Sequence, residues 1–272
     1  MGAIVGAGSA EQPLVSVVIP SFNHSQYIEE TIRSVLGQTY TPLQLVVVDD
    51  GSTDGSIPLL HRLSEKLKFD LIVQENRGVC ATLNRGVRER ARGEWIAILG
   101  SDDLWRNDKI EVQIQALAAR PDARFCYSQG QAFMDGSPPE TGSVFPSRVF
   151  EGQLLKRVLF RQHVPAGTML FSRDLYDSLG GFDETLREED WDWVIRSAAS
   201  TPFVSVAKPL LLYRLHPEST MRKSDPAVLL HQKLLLLSKN FHLANPWYWL
   251  AAVLTHFIFN LLVLPLKRKL GA

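Results

Sequence analysis

The chain has 272 residues, of which 45% are hydrophobic, and it carries 29 basic and 29 acidic residues. A chain of this length forms one large domain or one domain with an appendage, and the balanced charge excludes a global basic field that recruits nucleic acid. The two cysteines, Cys80 and Cys126, lack the spacing of a metal site. They indicate a reducing compartment without a disulfide framework, and we expect both to pack in the core.

The first thirteen residues are interpreted as a flexible leader. Residues 4–10 imitate a dinucleotide-binding turn, but the third glycine is missing and Pro13 stands where the helix should run. The segment also lacks the basic start and the long apolar core of a signal peptide.

Apolar runs and helical patterns then alternate as far as about residue 119. Continuous runs of Val, Ile and Leu are typical of parallel strands that are buried on both faces. The pattern therefore predicts an α/β fold with a mostly parallel central sheet flanked by helices. The predicted strands are 15–20, 43–49, 69–74 and 95–99, and the predicted helices lie near 25–37, 53–67, 78–92 and 106–119.

Pro121 ends this alternation, and the signals that follow are mixed. Residues 135–142 are rich in Gly, Pro and Ser, which predicts a loop. We divide the domain into a nucleotide-binding half, 14–120, and an acceptor half, 121–222. The remaining predicted elements are strands at 124–129 and 168–172 and helices near 151–161 and 189–199.

Two predicted strands end in adjacent carboxylates, Asp49–Asp50 and Asp102–Asp103. In open α/β sheets the ligand lies just past the strand ends, and adjacent carboxylates repel each other unless donors or a cation compensate. Each pair has a simpler interpretation, a turn followed by a helix N-cap. A calcium loop that begins at Asp50 is excluded, because its twelfth position is His61 rather than Glu.

These segments carry a resemblance to a known family. Residues 15–40 and 45–56, together with shorter blocks at 74–78, 84–86, 93–103, 181–183, 189–191 and 213–216, resemble the family 2 glycosyltransferases. The resemblance covers roughly residues 14 to 220. It implies the GT-A nucleotide-diphospho-sugar fold and an inverting transfer of a sugar from a nucleotide-sugar donor.

The resemblance also implies a donor site. In that family the residue at Asp50 accepts the imide N–H of a uracil or thymine base, so a UDP- or dTDP-sugar is expected. Other residues at the strand ends are expected to line or cover the nucleoside, and Asp102 to contact the ribose. The expected lining residues are Pro20, Phe22, Asn23, Asn76 and Arg77.

A divalent cation, Mg²⁺ or Mn²⁺, is the cofactor that the resemblance implies. Asp102, Asp103 and His216 are its expected ligands. The family usually has Asp-x-Asp-Asp at residues 100–103, and this chain has Gly100 in the first position. A helix N-cap before residues 105–119 remains an alternative role for the acidic pair.

The block Glu189-Asp190-Trp191 resembles the family motif whose Asp is the general base on the acceptor hydroxyl. Asp190 is therefore the predicted base, and Glu189 is the second candidate. Trp191 and Trp193 are expected to form an apolar wall or an acceptor platform. Acidic residues near a helix start also stabilise the helix dipole, which is the structural alternative.

The last fifty residues, 223–272, differ in composition from the rest and are predicted to form a helical, membrane-associating segment. Residues 246–266 are about as long as a bilayer span, carry three aromatic residues directly after Pro246 and precede the basic triplet 267–269. Basic residues on both sides of the segment make an interfacial helix a strong alternative to a span. A buried helix or a dimer interface is also open.

The sequence thus predicts a glycosyltransferase at the cytoplasmic face of the bacterial inner membrane, bound peripherally or by a single helix. Its expected partners are a nucleotide-sugar, a glycan or lipid-linked glycan acceptor and the membrane surface, and no nucleic acid. Two other classes of protein are considered. A sugar-nucleotide-forming nucleotidyltransferase needs a glycine- and arginine-rich loop after the first strand, which residues 20–23 are not. A non-catalytic sugar-nucleotide-binding protein is compatible with Gly100 but not with the intact acidic residues.

Overall fold

The computed structural model describes residues 12–186, 189–216 and 226–260. Most of the interpreted leader and the basic triplet 267–269 therefore lie outside the described residues. The described residues form a nine-stranded sheet with helices on both faces. The predicted α/β fold class is confirmed.

Within the residues that the structure describes, the elements are the strands β1 to β9 and the helices α1 to α9. The strands are β1 Val15–Ser21, β2 Leu43–Asp49, β3 Asp70–Val73, β4 Trp95–Ile98, β5 Leu104–Trp105, β6 Phe125–Met134, β7 Val144–Phe145, β8 Leu170–Ser172 and β9 Phe203–Leu215. The helices are α1 Ile28–Leu36, α2 Ser56–Leu67, α3 Val79–Glu89, α4 Lys109–Ala118, α5 Leu155–Phe160, α6 Arg173–Ser178, α7 Glu189–Ser200, α8 Pro226–Lys239 and α9 Pro246–Ile258.

The sheet is parallel in its first part and mixed in its second. The strand order is β3-β2-β1-β4-β8-β6-β9-β5, with β7 on β6. Strands β3, β2, β1 and β4 pair in parallel, β8 is antiparallel to both of its neighbours, and β6 and β9 pair in parallel. The carboxyl ends of the first four strands therefore lie along one edge of the sheet.

Alternation along β1 divides the core into two layers. Val15, Val17 and Ile19 pack with α1, α2 and α4, whereas Val18 packs with α3, α5 and α7 on the other face. Helix α3 approaches the sheet closely at Gly86, where an added Cβ would lie 2.6 Å from a methyl carbon of Val18. The layers hold the strand ends in fixed positions.

The C-terminal helices pack against the rest of the fold. Leu236, Leu237 and Ala252 are buried in the same cluster as α5 and α7. Trp249 Nε1 donates a hydrogen bond of 2.6 Å to Leu237 O, which joins α9 to α8. Within the described residues, no helix has the length and apolar character needed to cross a bilayer.

Candidate functional site

The loops that follow β1, β2 and β4 are tied together by hydrogen bonds. Asn23, which has a positive φ of 54°, donates its backbone N–H to Ser52 Oγ at 2.8 Å. Its side-chain Oδ1 accepts from the amide of Thr53, also at 2.8 Å. Asn tolerates this left-handed backbone conformation better than most residues. Asn23 therefore holds the β1 and β2 loops together.

Asp50 fastens the loop after β3. Its Oδ1 accepts from Gln74 Nε2 at 2.7 Å and from the amide of Arg77 at 2.8 Å, and its Oδ2 accepts from the amide of Gly78 at 2.9 Å. A carboxylate has about four lone-pair positions, so about one remains for a ligand. Asn76 and the Arg77 side chain are exposed beside it. The structure thus brings together Asp50, Asn76 and Arg77, and it gives Asp50 a structural role that the sequence did not predict.

Asp49 makes different contacts from those of its neighbour Asp50. It is fully buried and accepts from the amide and hydroxyl of Ser52 at 2.9 and 2.8 Å. Pro20 and Phe22 close the end of β1, and the Phe22 side chain is exposed there. The predicted nucleoside-lining residues therefore stand at one edge of the sheet.

A carboxylate and two imidazoles meet next to this row of loops. His216 Nε2 lies 3.0 Å from Asp102 Oδ2. One ligand atom from each of His24, Asp102 and His216 lies within 4.8 Å of the others. His24 was missed by the sequence reasoning, although it directly follows Asn23 in one of the blocks that carry the resemblance.

Asp103, a predicted ligand, has a different environment. Its Oδ1 accepts the amide of Arg214 at 2.9 Å, and it is not one of the three clustered residues. Burial, followed by the nearby charge of Asp102, raises the pKa of Asp103 well above its usual value. Asp102 is thus the acid of the pair that faces the imidazoles.

Tyr27 packs against both imidazoles. Its ring centroid lies 6.0 Å from that of His24 and 5.0 Å from that of His216. Arg214 lies 4.8 Å from the centre of the Tyr27 ring, and it forms ion pairs with Asp135 at 2.9 Å and Glu30 at 2.6 Å. The Arg214 guanidinium is almost fully buried and is paired with these two carboxylates. Arg214 therefore holds the end of β9 against α1.

Asp190, the predicted base, lies in the first turn of α7. Gln162 Nε2 donates to its Oδ2 at 3.2 Å. Burial raises the pKa of Asp190, partly offset by the hydrogen bond from Gln162. A carboxylate with a raised pKa is a stronger proton acceptor. Glu189 begins the same helix, and its side chain lies outside the described residues.

Both tryptophans of this block lie in the core. Trp193 is fully buried against Phe171 and Phe182, and Trp191 is 3% exposed. The Trp191 indole donates to Val158 O at 2.7 Å. The prediction of an apolar wall agrees with this packing. The prediction of an acceptor platform is wrong, because both indoles fill the layer between α7 and its neighbours.

The two cysteines are structural. Both are buried and neither forms a disulfide, and Cys80 Sγ donates to Leu186 O at 3.4 Å, in the segment before α7. Burial raises the pKa of Cys126 to about 12. A thiol with such a pKa is not a nucleophile at neutral pH.

Comparison with known proteins finds glycosyltransferases among the relatives of this chain. A putative teichuronic acid biosynthesis glycosyltransferase, TuaG, from Bacillus subtilis is 37% identical over 130 residues, which are 47% of this chain and 51% of that protein. The chain therefore spans about half the length of this curated relative.

Solved structures share the fold. Staphylococcus aureus TarS in complex with UDP-GlcNAc has a TM-score of 0.69 at 17% identity, over 91% of this chain and 73% of that one. A mannosyltransferase from Pyrobaculum calidifontis, in complex with GDP-Man and Mn²⁺, has a TM-score of 0.63 at 21% identity, over 96% of this chain and 79% of that one. The model of the family described as Glycosyl transferase family 2 matches residues 16–180, more than half of the chain. The chain belongs to this family of glycosyltransferases.

Proposed function

We propose that this chain moves a sugar from a UDP- or dTDP-sugar to an acceptor hydroxyl, with inversion, during synthesis of a bacterial cell-surface polysaccharide. The observation that carries the proposal is the joined row of strand-end loops, with Asp50 at one end and the Asp102–His216 pair at the other. The relation to a teichuronic acid enzyme supports the kind of product. The UDP-GlcNAc complex of TarS supports a uracil nucleotide.

The nucleoside would lie over the loops that Asp50 and Asn23 hold. The remaining lone pair of Asp50 would accept the imide N–H of the base, and Asn76 and Arg77 would cover it. Phe22 offers an exposed aromatic ring beside this position, and Pro20 precedes it on β1. The ribose would then reach Asp102.

A divalent cation fits the residues beside the nucleoside site. A carboxylate and an imidazole that already lie 3.0 Å apart are donors suited to Mn²⁺, and a carboxylate also suits Mg²⁺. Asp102 and His216 would hold the ion. Asp103, whose Oδ1 accepts from the Arg214 amide and which is not one of the clustered residues, would stay outside the set of ligands. When bound, such an ion supplies charge neutralisation to the departing diphosphate.

Asp190 would remove the proton from the acceptor hydroxyl. The hydroxyl oxygen forms a bond to the anomeric carbon while the bond to the diphosphate breaks, and the nucleoside diphosphate leaves with the electron pair. Gln162 orients the carboxylate through its hydrogen bond to Oδ2. Attack opposite the leaving group inverts the anomeric configuration, and no covalent sugar–enzyme intermediate forms.

The acceptor would be a glycan or lipid-linked glycan at a membrane surface, the cytoplasmic face of the bacterial inner membrane. The segment 246–260, which comprises α9 and the two residues after it, supports this, because His256 and Asn260 are buried against the protein and the outer side is apolar. Contiguous exposed apolar patches mark a partner or a membrane. Exposed large side chains on this side are Trp247, Tyr248, Leu250, Leu254, Phe257, Ile258 and Phe259.

A panel of nucleotide-sugars tests the proposal. UDP-, dTDP- and GDP-sugars are incubated with the full-length protein and Mn²⁺, and release of the nucleoside diphosphate is measured. We expect release from at least one UDP- or dTDP-sugar. Release from GDP-sugars alone would contradict the donor assignment, and binding without any release would indicate a non-catalytic binding protein.

A further inference from the structure

A histidine outside the predicted ligand set lies against the Asp102–His216 pair. His24 belongs to the loop after β1, Asp102 to the loop after β4, and His216 to the end of β9. We propose that His24 is a third ligand of the divalent cation, and that the resulting set of two imidazoles and one carboxylate favours Mn²⁺ over Mg²⁺. This inference rests on the proposed function for the presence of an ion and deepens it by naming the ligand set.

The spacing of the three side chains suits an ion. In an octahedral site with bonds of about 2.1 Å, adjacent ligand atoms lie about 3.0 Å apart and opposite ones about 4.2 Å. The distance from His216 Nε2 to Asp102 Oδ2 is 3.0 Å, which equals the adjacent spacing. All three ligand atoms lie within 4.8 Å of one another, so small rotations of side chains bring the third atom into range.

His24 is held in place by neighbours that are themselves fixed. Its Nδ1 lies 2.8 Å from Ser101 Oγ, and Ser101 O accepts from Thr31 Oγ1 at 3.0 Å. In the tautomer in which Nδ1 donates to this hydroxyl, the other ring nitrogen keeps its lone pair, as metal-binding histidines require. Tyr27 packs against both imidazole rings. The cluster is thus supported by α1 as well as by the loops.

Gly100 explains why a ligand from another loop is needed. Its position usually carries a carboxylate in the family that the chain resembles, so the acidic segment here supplies one acid fewer. A Cβ at this position would lie 3.0 Å from Asp102 Oδ1, a tight contact, and 3.6 Å from Asp103 Oδ2, an ordinary one. His24 adds a ligand without adding a negative charge.

The donor set determines the preference for the ion. Imidazole nitrogen suits transition metals, whereas Mg²⁺ prefers oxygen ligands and keeps its water. Two neutral imidazoles and one carboxylate leave a net charge of about +1 on the bound dication. The site would therefore retain attraction for the diphosphate of the donor, and its three remaining octahedral positions would accept phosphate oxygens or water.

Binding of Mn²⁺ to the full-length protein tests this assignment directly. Free Mn²⁺ is measured by electron paramagnetic resonance, with Mn²⁺ alone and with Mn²⁺ plus UDP, for wild type and His24→Ala. His61→Ala is the matched control, because His61 is an exposed histidine on α2. We expect His24→Ala to weaken Mn²⁺ binding more than about tenfold, since even changes to outer-shell partners cost 10–100-fold. His61→Ala should bind as wild type does.

Two further measurements separate loss of a ligand from loss of the fold. Pulsed resonance on bound Mn²⁺ should show imidazole nitrogen couplings that fall in His24→Ala, and His24→Glu should retain Mn²⁺ while its preference over Mg²⁺ declines. Unchanged affinity and unchanged nitrogen couplings in His24→Ala would overturn the proposal. If donors are consumed while Mn²⁺ binding ignores His24, the inference alone fails; if His24-dependent binding occurs without consumption of any donor, the proposed function alone fails.

Discussion

At the scale of single residues, the two acids of each adjacent pair make different contacts. Asp103 accepts a backbone amide from β9, whereas Asp102 faces two imidazoles. Asp49 is enclosed by serine donors, whereas Asp50 holds the loop that carries Arg77. The turn beyond each strand decides which acid faces the ligand edge, and that turn is set by contacts from distant segments.

Replacing Asp190 with Asn tests the base. We expect donor binding to persist while transfer falls by about 10²–10⁴-fold, the usual scale of general-base catalysis. Asp174→Asn is the matched control, because the Asp174 carboxylate is 86% exposed on α6. Steady-state transfer rates and calorimetric donor binding are the measurements. A rate within a few-fold of wild type would move the base elsewhere, with Glu189 the next candidate.

The pH dependence of the wild-type transfer rate also tests whether Asp190 is the base. Burial raises the pKa of Asp190 above the ordinary 3.8, and a base must be unprotonated to act. The rate should therefore fall as pH decreases through this raised pKa, and the acidic limb should disappear in Asp190→Asn.

Lys109 is a buried cation with consequences for stability. Its pKa is lowered by burial from 10.5 to about 7, and its ammonium lies 4.0 Å from the centre of the Trp105 ring. Between pH 7 and 10.5 the unfolded chain binds a proton that the folded chain does not, so the free energy of unfolding rises with pH in this window. Its Nζ has no hydrogen-bond partner among the described residues.

We expect Lys109→Met to stabilise the protein at pH 7 by at least about 1 kcal/mol, since one pKa unit corresponds to about 1.4 kcal/mol. The substitution should also remove the rise in stability from pH 7 to 10. Thermal unfolding followed by circular dichroism at several pH values measures both effects. Lys66→Met, at an exposed position on α2, should change neither. A lower Tm for Lys109→Met at pH 7 would contradict this account.

At the scale of elements, α9 has an inner face that packs against the rest of the fold and an exposed, apolar outer face. His256 Nε2 lies 3.0 Å from Leu159 O, and its ring centroid lies 4.9 Å from that of Trp191. Removing residues 245–272 would expose Trp191, next to Asp190. Substitutions on the outer face therefore test membrane association more cleanly than truncation does.

The variant Leu250→Gln/Leu254→Gln/Phe257→Gln should bind lipid less well. These side chains are 43%, 53% and 48% exposed, so replacing them removes apolar contact with a membrane at little cost to the fold. Co-sedimentation with anionic lipid vesicles is the measurement. Met134→Gln, 51% exposed on β6, is the control and should sediment as wild type does. Equal sedimentation of the triple variant would contradict a membrane role for this face.

Several elements could be predicted from sequence because their physical signal is local. The buried parallel strands β1 and β2 read as unbroken apolar runs, and the predicted bounds agree with the structure within one residue. Helix α2 begins at Ser56 rather than near residue 53, because Asp54 Oδ1 accepts a hydrogen bond from the hydroxyl of Ser56. Strand β9, 13 residues long, was not predicted as a whole, since Lys208 and Pro209 interrupt its apolar pattern.

The site was only partly predictable for a different reason. Asp102 and His216 were chosen from a resemblance, and they lie 114 positions apart in the sequence. Nothing in the spacing of the chain indicates that His24 joins them, since that contact depends on how the β1 loop turns above the sheet. Likewise, Trp193 has the same local signal whether it is a platform or core.

At the scale of the whole molecule, the two parts of the sheet divide the chemistry. The parallel strands β3-β2-β1-β4 gather the loops proposed to hold the nucleotide, and β8 and β6 continue the sheet into the half that precedes α7 and Asp190. Helices α8 and α9 pack on that second half. The proposed direction of transfer is therefore from the parallel edge toward a base on α7, the helix that packs against the inner face of α9.

The anomeric configuration of the first sugar released tests the central claim, inverting transfer from a nucleotide-sugar, most directly. The enzyme is mixed with the donor identified in the panel, without acceptor, so that water takes the place of the acceptor hydroxyl. Proton NMR then records the anomer in the first minutes, before mutarotation equilibrates it. The account predicts that the α-linked sugar of a UDP- or dTDP-donor appears first as the β anomer; initial release of the α anomer would contradict it.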